Sequence, residues 1–111
     1  MPYSEPYDVL DEKTRDVTRA IKSLCEELEA ISYYHQRVAT SDDAELKGIM
    51  AHNRDEEIEH ACMTIEWLRR NMDGWDEELK TYLFTEGSIT ELEDGATDAQ
   101  ESGLSIGSMK K

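Results

Sequence analysis

The sequence predicts an all-α fold: an antiparallel two-helix hairpin followed by a short third helix, with two copies pairing into a four-helix bundle. Three observations lead there. Two long stripes of apolar residues repeat at helical spacing, and four cap-forming residues, Thr40-Ser41-Asp42-Asp43, separate them. The 111-residue chain, 38% apolar and 34% charged, is also too short and too polar to build a thick core by itself. Small helical chains cover leftover apolar faces with another copy of themselves, so a homo-oligomer is expected.

Residues 1–9 hold both prolines and little periodicity, and are read as an extended N-terminal arm. From about residue 10 to 39, Val17, Ile21, Leu24, Leu28, Ile31 and Val38 recur at spacings of three, four and seven, with His35 at the missing step. That is the pattern of an amphipathic helix. The Thr40–Asp43 segment favours a helix N-cap, and its acids suit the positive end of the next helix. A second stripe, Leu46, Ile49, Met50, Asn53, Glu57, His60, Thr64 and Trp67, gives a helix from about 43 to 71 that folds back on the first. Asn71-Met72-Asp73-Gly74 ends it, with Gly74 suited to a left-handed cap and Asp73 or Asp76 to capping the next helix. Trp75, Leu79, Tyr82 and Leu83 then make the short third helix, closing a helical domain over 10–87. Residues 88–102, dominated by Gly, Ser, Thr, Asp and Glu, read as a flexible acidic linker, and residues 103–111 regain apolar side chains and turn basic.

Charge narrows the choice of partner. With 26 acidic against 12 basic residues the formal charge is -14, which argues against nucleic acid or an anionic membrane and favours cations. No apolar run approaches the ~20 residues of a membrane span, and Met1-Pro2-Tyr3 begins no signal peptide, so a cytosolic protein is expected. Cys25 and Cys62 each lie inside a helical pattern, far from any second cysteine, and are read as reduced residues packed in the core.

The second helix carries the chemistry. Asn53, Glu57 and His60 share a stripe with Leu46, Met50 and Trp67, and carboxylates on an inward face need a partner. A spacing of three puts Glu57 and His60 one turn apart, where a carboxylate oxygen and an imidazole nitrogen reach a common ion. Glu-x-x-His is the repeat unit of di-iron carboxylate bundles, although by itself it is also what an exposed surface pair looks like. Glu27, flanked by Leu24, Leu28 and Ile31, tips the balance. Counting from a turn near residue 41, it stands at about the height of Glu57. A complete di-iron site takes one Glu from each of two helices and one Glu-x-x-His from each of two others, so this chain holds half of one. Two copies supply four carboxylates and two imidazoles, with the metals at the two-fold axis of the dimer. Glu27 is expected to bridge the metals from both chains, and Glu57 and His60 to be terminal ligands from each. Tyr34 is read as a packed residue or one that hydrogen-bonds a ligand, Glu26 and Glu29 as a solvated acidic face or a cation relay. His35 is read as packed and hydrogen-bonded, His52 as a surface residue.

Several stretches also match a known family: Glu26-Glu27-Leu28-Glu29-Ala30, Tyr34, Ala51-His52-Asn53-Arg54-Asp55-Glu56-Glu57-Ile58-Glu59-His60-Ala61, Glu66-Trp67-Leu68-Arg69-Arg70-Asn71 and Tyr82-Leu83-Phe84-Thr85-Glu86-Gly87. Over about residues 8–90 the sequence resembles the encapsulated ferritins. The resemblance implies a ferritin-like bundle and a ferroxidase that oxidises Fe(II) to Fe(III) at a di-iron centre shared by two subunits, in dimers arranged as a decameric ring. It implies Glu27, Glu57 and His60 as the catalytic iron ligands and Tyr34 as their neighbour. Glu26 and Glu29 would form a secondary site for calcium or another divalent cation. Tyr33 departs from the tryptophan expected beside that secondary site. The C-terminal Leu104-Ser105-Ile106-Gly107-Ser108-Met109 resembles the cargo-loading peptides that dock in encapsulin shells, with Leu104, Ile106, Gly107 and Met109 as the docking residues. The implied setting is a cytoplasmic encapsulin nanocompartment whose shell stores the mineral. Two other readings stand beside this one: a metal-free helical interaction module, and a different di-metal enzyme using manganese or reducing peroxide.

Overall fold

The structure, a computed structural model, describes residues 2–93; the expected docking peptide and residues 94–102 of the expected linker lie outside them. Among the described residues there is no strand. A single 3-10 turn, Tyr7–Val9, precedes three helices: α1 (Glu12–Thr40), α2 (Ala44–Asn71) and α3 (Trp75–Tyr82). The chain divides into two compact units, the first ending at Leu68 and the second beginning at Arg69.

Each long helix starts where an aspartate caps it. Asp11 Oδ1 accepts from the Thr14 amide at 2.7 Å, and Asp43 Oδ1 accepts from the Leu46 amide at 2.8 Å. Each satisfies an amide that the first helical turn leaves without an internal partner. The hydrogen bond from Thr14 holds the Asp11 carboxyl below the ordinary aspartate range. α1 and α2 run antiparallel in the first unit, because contacts fall along α2 as they rise along α1. Lys13 Nζ lies 6.0 Å from the centre of the Trp67 ring, Thr64 bonds Glu27, and Arg54 meets His35 Nδ1 at 3.3 Å.

The N-terminal arm is a clamped turn where an extended strand of chain was expected. Pro6, at φ -58, pre-sets it, and Val9 N–H bonds the Pro6 carbonyl at 3.1 Å. The Arg15 guanidinium stacks 3.8 Å from the centre of the Tyr7 ring and donates to the Tyr7 carbonyl at 2.7 Å, while Arg19 reaches the Tyr7 hydroxyl at 3.2 Å.

In the second unit, Gly74 at φ 103 supplies the left-handed backbone that starts α3. Asp76 does not cap that helix. It sits inside the first turn, 2.6 Å from Arg69 and 3.0 Å from Lys80, and those partners hold its carboxyl below the ordinary range. Residues 89–93 are helical, although the expected flexible linker began at 88. Ser88-Ile89-Thr90-Glu91 has the capping-box form of Ser with Glu three residues later, a local start signal that the acidic, polar composition masks.

Burial within one chain is slight. Among the described residues only Ala61 (5% exposed) and Leu68 (0%) are buried. Val17, Leu24, Ile31 and Val38 are half-buried on α1, whereas Ile21 and Leu28 of the same predicted stripe are exposed, with Ile49, Ile58 and Met63 exposed on α2. The stripe therefore spans two faces, of which one chain covers one. Cys25 and Cys62 are free, and both are exposed, so neither packs in a core as expected. Each helix of a two-helix hairpin covers only one side of the other.

Candidate metal centre

Glu27, Glu57 and His60 are all half-buried, and Glu27 reaches across from α1 to α2. Glu57 and His60 stand as the helical spacing dictates, with Glu57 Oε1 3.5 Å from His60 Nδ1. Glu27 accepts a hydrogen bond from the Thr64 hydroxyl, which lies 3.1 Å from Oε1 and 3.4 Å from Oε2. The same hydroxyl lies 3.1 Å from the His60 carbonyl oxygen one turn back. Glu27 thus meets α2 about two turns beyond Glu57, the residue that counting from the loop places opposite it. The offset follows from side-chain direction. In a helix each side chain leans toward the N-terminus, so along an antiparallel pair Glu27 leans away from the loop and residues of α2 lean toward it.

Among the described residues, no three His, Cys, Asp or Glu side chains of one chain stand close enough together to hold a metal ion. One chain thus presents a carboxylate–imidazole pair and a separate carboxylate held by Thr64. Carboxylate and imidazole donors suit hard-to-borderline ions such as iron. A groove of about 390 Å³ runs beside Glu27, lined by Ala20, Ser23, Met63, Thr64 and Trp67, with Arg19 at its edge.

The remaining candidates make their own contacts. Tyr34 is half-buried, with the Arg37 guanidinium 5.5 Å from its ring centre. Glu26 and Glu29 are exposed: Glu26 Oε2 lies 4.0 Å from Lys22 Nζ, and Glu29 Oε2 accepts from the Tyr33 hydroxyl at 3.2 Å. His35 is exposed and hydrogen-bonded to Arg54, where a packed residue was expected; His52 lies on the surface, 3.6 Å from Glu56. Leu104, Ile106, Gly107 and Met109 lie outside the described residues. Thr64 is the hydrogen-bond partner of Glu27 that the sequence did not single out. It was counted in the α2 stripe, and a hydroxyl four residues after the candidate histidine His60 was the available signal.

A protein-family model described as EncFtn-like matches residues 2–86. The chain is 56% identical over 99 residues to a "Ferritin-like protein" of Thermotoga maritima, covering 89% of this chain and 87% of that one. It is 52% identical to an "Encapsulated ferritin-like protein" of Rhodospirillum rubrum, covering 96% of this chain and 86% of that one. A crystal structure of protein ne0167 from Nitrosomonas europaea aligns with a TM-score of 0.76 and 57% identity, over 78% of this chain and 96% of that one.

Proposed function

Because the chain belongs to the EncFtn-like family, we propose that it is a ferroxidase subunit, oxidising Fe(II) to Fe(III) at a di-iron centre completed by a second copy. One observation carries this reading: Glu27, Glu57 and His60 are half-buried on two antiparallel helices, with Glu57 3.5 Å from His60 and Glu27 bonded to Thr64 one turn beyond His60. Burying carboxylates there is unfavourable unless a cation or hydrogen-bond donors compensate them. Two copies would bring Glu27, Glu57 and His60 twice each, with Glu27 bridging from both chains and Glu57 and His60 terminal on each. The exposed apolar residues of α1 and α2 support such a dimer, since they are what a second copy would cover.

Fe(II) is the substrate here. Carboxylates favour the ferric state and the imidazole helps to retain the ferrous one, so the same ligand set serves both ends of the oxidation. Each Fe(II) gives up one electron; a pair therefore reduces one dioxygen to hydrogen peroxide, with two protons drawn from water. Glu27 positions both ions, and the half-burial of Glu57 and His60 limits competing water.

The remaining assignments belong to the same proposal. The helical domain over 10–87 carries the chemistry and assembles into dimers and a decameric ring. Leu104, Ile106, Gly107 and Met109 dock it inside an encapsulin shell in the cytoplasm, which stores the oxidised iron. Glu26 and Glu29 form a secondary site for calcium or another divalent cation, with the Tyr33 hydroxyl on Glu29 as its local partner. The relative whose printed name includes "encapsulated" supports the shell assignment, and the described helices include none long and apolar enough to cross a membrane.

The test is an anaerobic Fe(II) titration followed by admission of air, on the wild type and on Glu27→Ala and His60→Ala. Loss of both stoichiometric binding and oxidation in each variant is expected. Unchanged binding in both would sink the ligand assignment, and a wild type that neither binds nor oxidises Fe(II) would leave a metal-free interaction module as the better reading.

A further inference from the structure

The Thr64 side chain is in hydrogen-bond contact with Glu27, and its geometry has a particular feature. Its hydroxyl has two acceptors within reach, the Glu27 carboxylate at 3.1 Å and the His60 carbonyl at 3.1 Å, yet a hydroxyl carries a single proton. A hydrogen bond to an ionised carboxylate is about twice as strong as one to a neutral carbonyl, so the proton goes to Glu27 while that carboxylate is charged and near. The His60 carbonyl is the ordinary back-bonding acceptor for a threonine inside a helix, and it receives the proton when Glu27 turns elsewhere. Thr64 and Glu27 are both half-buried, which restricts the water that would otherwise replace either bond.

We propose that Thr64 is a positioning residue for Glu27: its hydroxyl holds the carboxylate against the His60 turn of α2 before metal arrives, leaving the remaining carboxylate lone pairs free for metal. This rests on the reading of Glu27 and His60 as ligands. A glutamate side chain has three rotatable bonds, and free in solution it would sample many positions away from His60. Tethered to Thr64 it starts beside the turn of α2 that begins at His60. Only the orientation of the hydroxyl changes when Glu27 shifts on binding, so the tether releases without breaking a covalent bond or stranding a polar group. Partners that orient metal ligands in this way typically change metal affinity by about 10- to 100-fold when removed.

The test uses the full-length assembled protein and anaerobic Co(II) as probe, whose visible spectrum reports ligand geometry, with Thr64→Val, Thr64→Ala, Thr64→Ser and Glu27→Ala. Valine keeps the shape and branching of threonine without the proton; alanine removes the same proton with less bulk and stands in if valine disturbs the helix. The expected result is Co(II) affinity lower by about 10-fold or more in both proton-less variants, with altered visible bands, and recovery to near wild type in Thr64→Ser. Wild-type affinity and bands in Thr64→Val and Thr64→Ala, with Glu27→Ala losing the metal, would overturn the role of Thr64 and leave the ligand reading standing. Weak binding in Thr64→Ser equal to that of Thr64→Val would also overturn it, since shape and not the proton would then matter. Full retention of Co(II) in Glu27→Ala would overturn both.

Discussion

Leu28 is an apolar side chain beside a proposed ligand, and it is 52% exposed in the single chain. Fully burying a leucine is worth about 2 kcal/mol, so covering the exposed half stabilises an assembly by about 1 kcal/mol per copy. A symmetric pair uses the residue twice, for about 2 kcal/mol in all. Leu28→Ala removes most of that, and at about 1.4 kcal/mol per tenfold the dimer dissociation constant should rise by about 10- to 20-fold. Sedimentation velocity across a dilution series, on metal-free protein, measures the change directly. Far-UV circular dichroism run beside it should show unchanged helix content, because the exposed half of Leu28 contributes little within its own chain. An unchanged dissociation constant would refute the inference that a second copy covers this face. So would a loss of helix at concentrations where wild-type chains are folded and separate, since Leu28 would then be holding its own hairpin together.

Other perturbations test other parts of the structure. Leu68→Ala empties the one position that is 0% exposed among the described residues, and should cost about 3 kcal/mol in urea unfolding; a cost under about 1 kcal/mol would show that the site is less enclosed than it looks. Gly74→Ala forces a side chain onto a backbone at φ 103 with open space around the added carbon, so the cost is purely conformational, about 1 kcal/mol or more, read as a lower melting temperature; a rise would contradict it. Asp11 is hydrogen-bonded by Thr14 and its folded pKa lies below the ordinary 3.8, so its contribution is present above that value and fades as the pH falls through the folded one. Asp11→Asn keeps a capping oxygen but cannot titrate: the stability difference between wild type and variant should be constant above about pH 5 and shrink below about pH 4, and a difference that stays flat down to about pH 2 would contradict this.

Much of the helical plan was legible because local chemistry sets it. The two stripes gave both long helices, and the aspartates at their starts are the residues that cap them. Register was less legible. Counting residues from the loop ignores the lean of side chains toward the N-terminus, so Glu27 was expected opposite Glu57, and its hydrogen-bond partner is Thr64. Burial was misread for a different reason: one stripe on α1 held residues of two faces, and Ile21, Leu28 and Cys25 belong to the face that one chain leaves open. A sequence shows which residues prefer to be covered but not which copy covers them. The Glu57 and His60 pair was legible from spacing alone, since a helix fixes neighbours three residues apart. What joins that pair to Glu27 depends on how two helices meet, and spacing within either helix does not encode it.

The central claim is that one chain holds half a metal centre and that oxidation needs two. The direct measurement is the initial rate of Fe(II) oxidation per chain, followed by absorbance while wild-type protein is diluted through its own dissociation range, with the assembly state read in parallel by light scattering. The expected rate per chain tracks the assembled fraction and vanishes with it, and two iron ions bind per pair of chains. A rate per chain that stays constant through dissociation would contradict it, because a single hairpin would then contain the whole site.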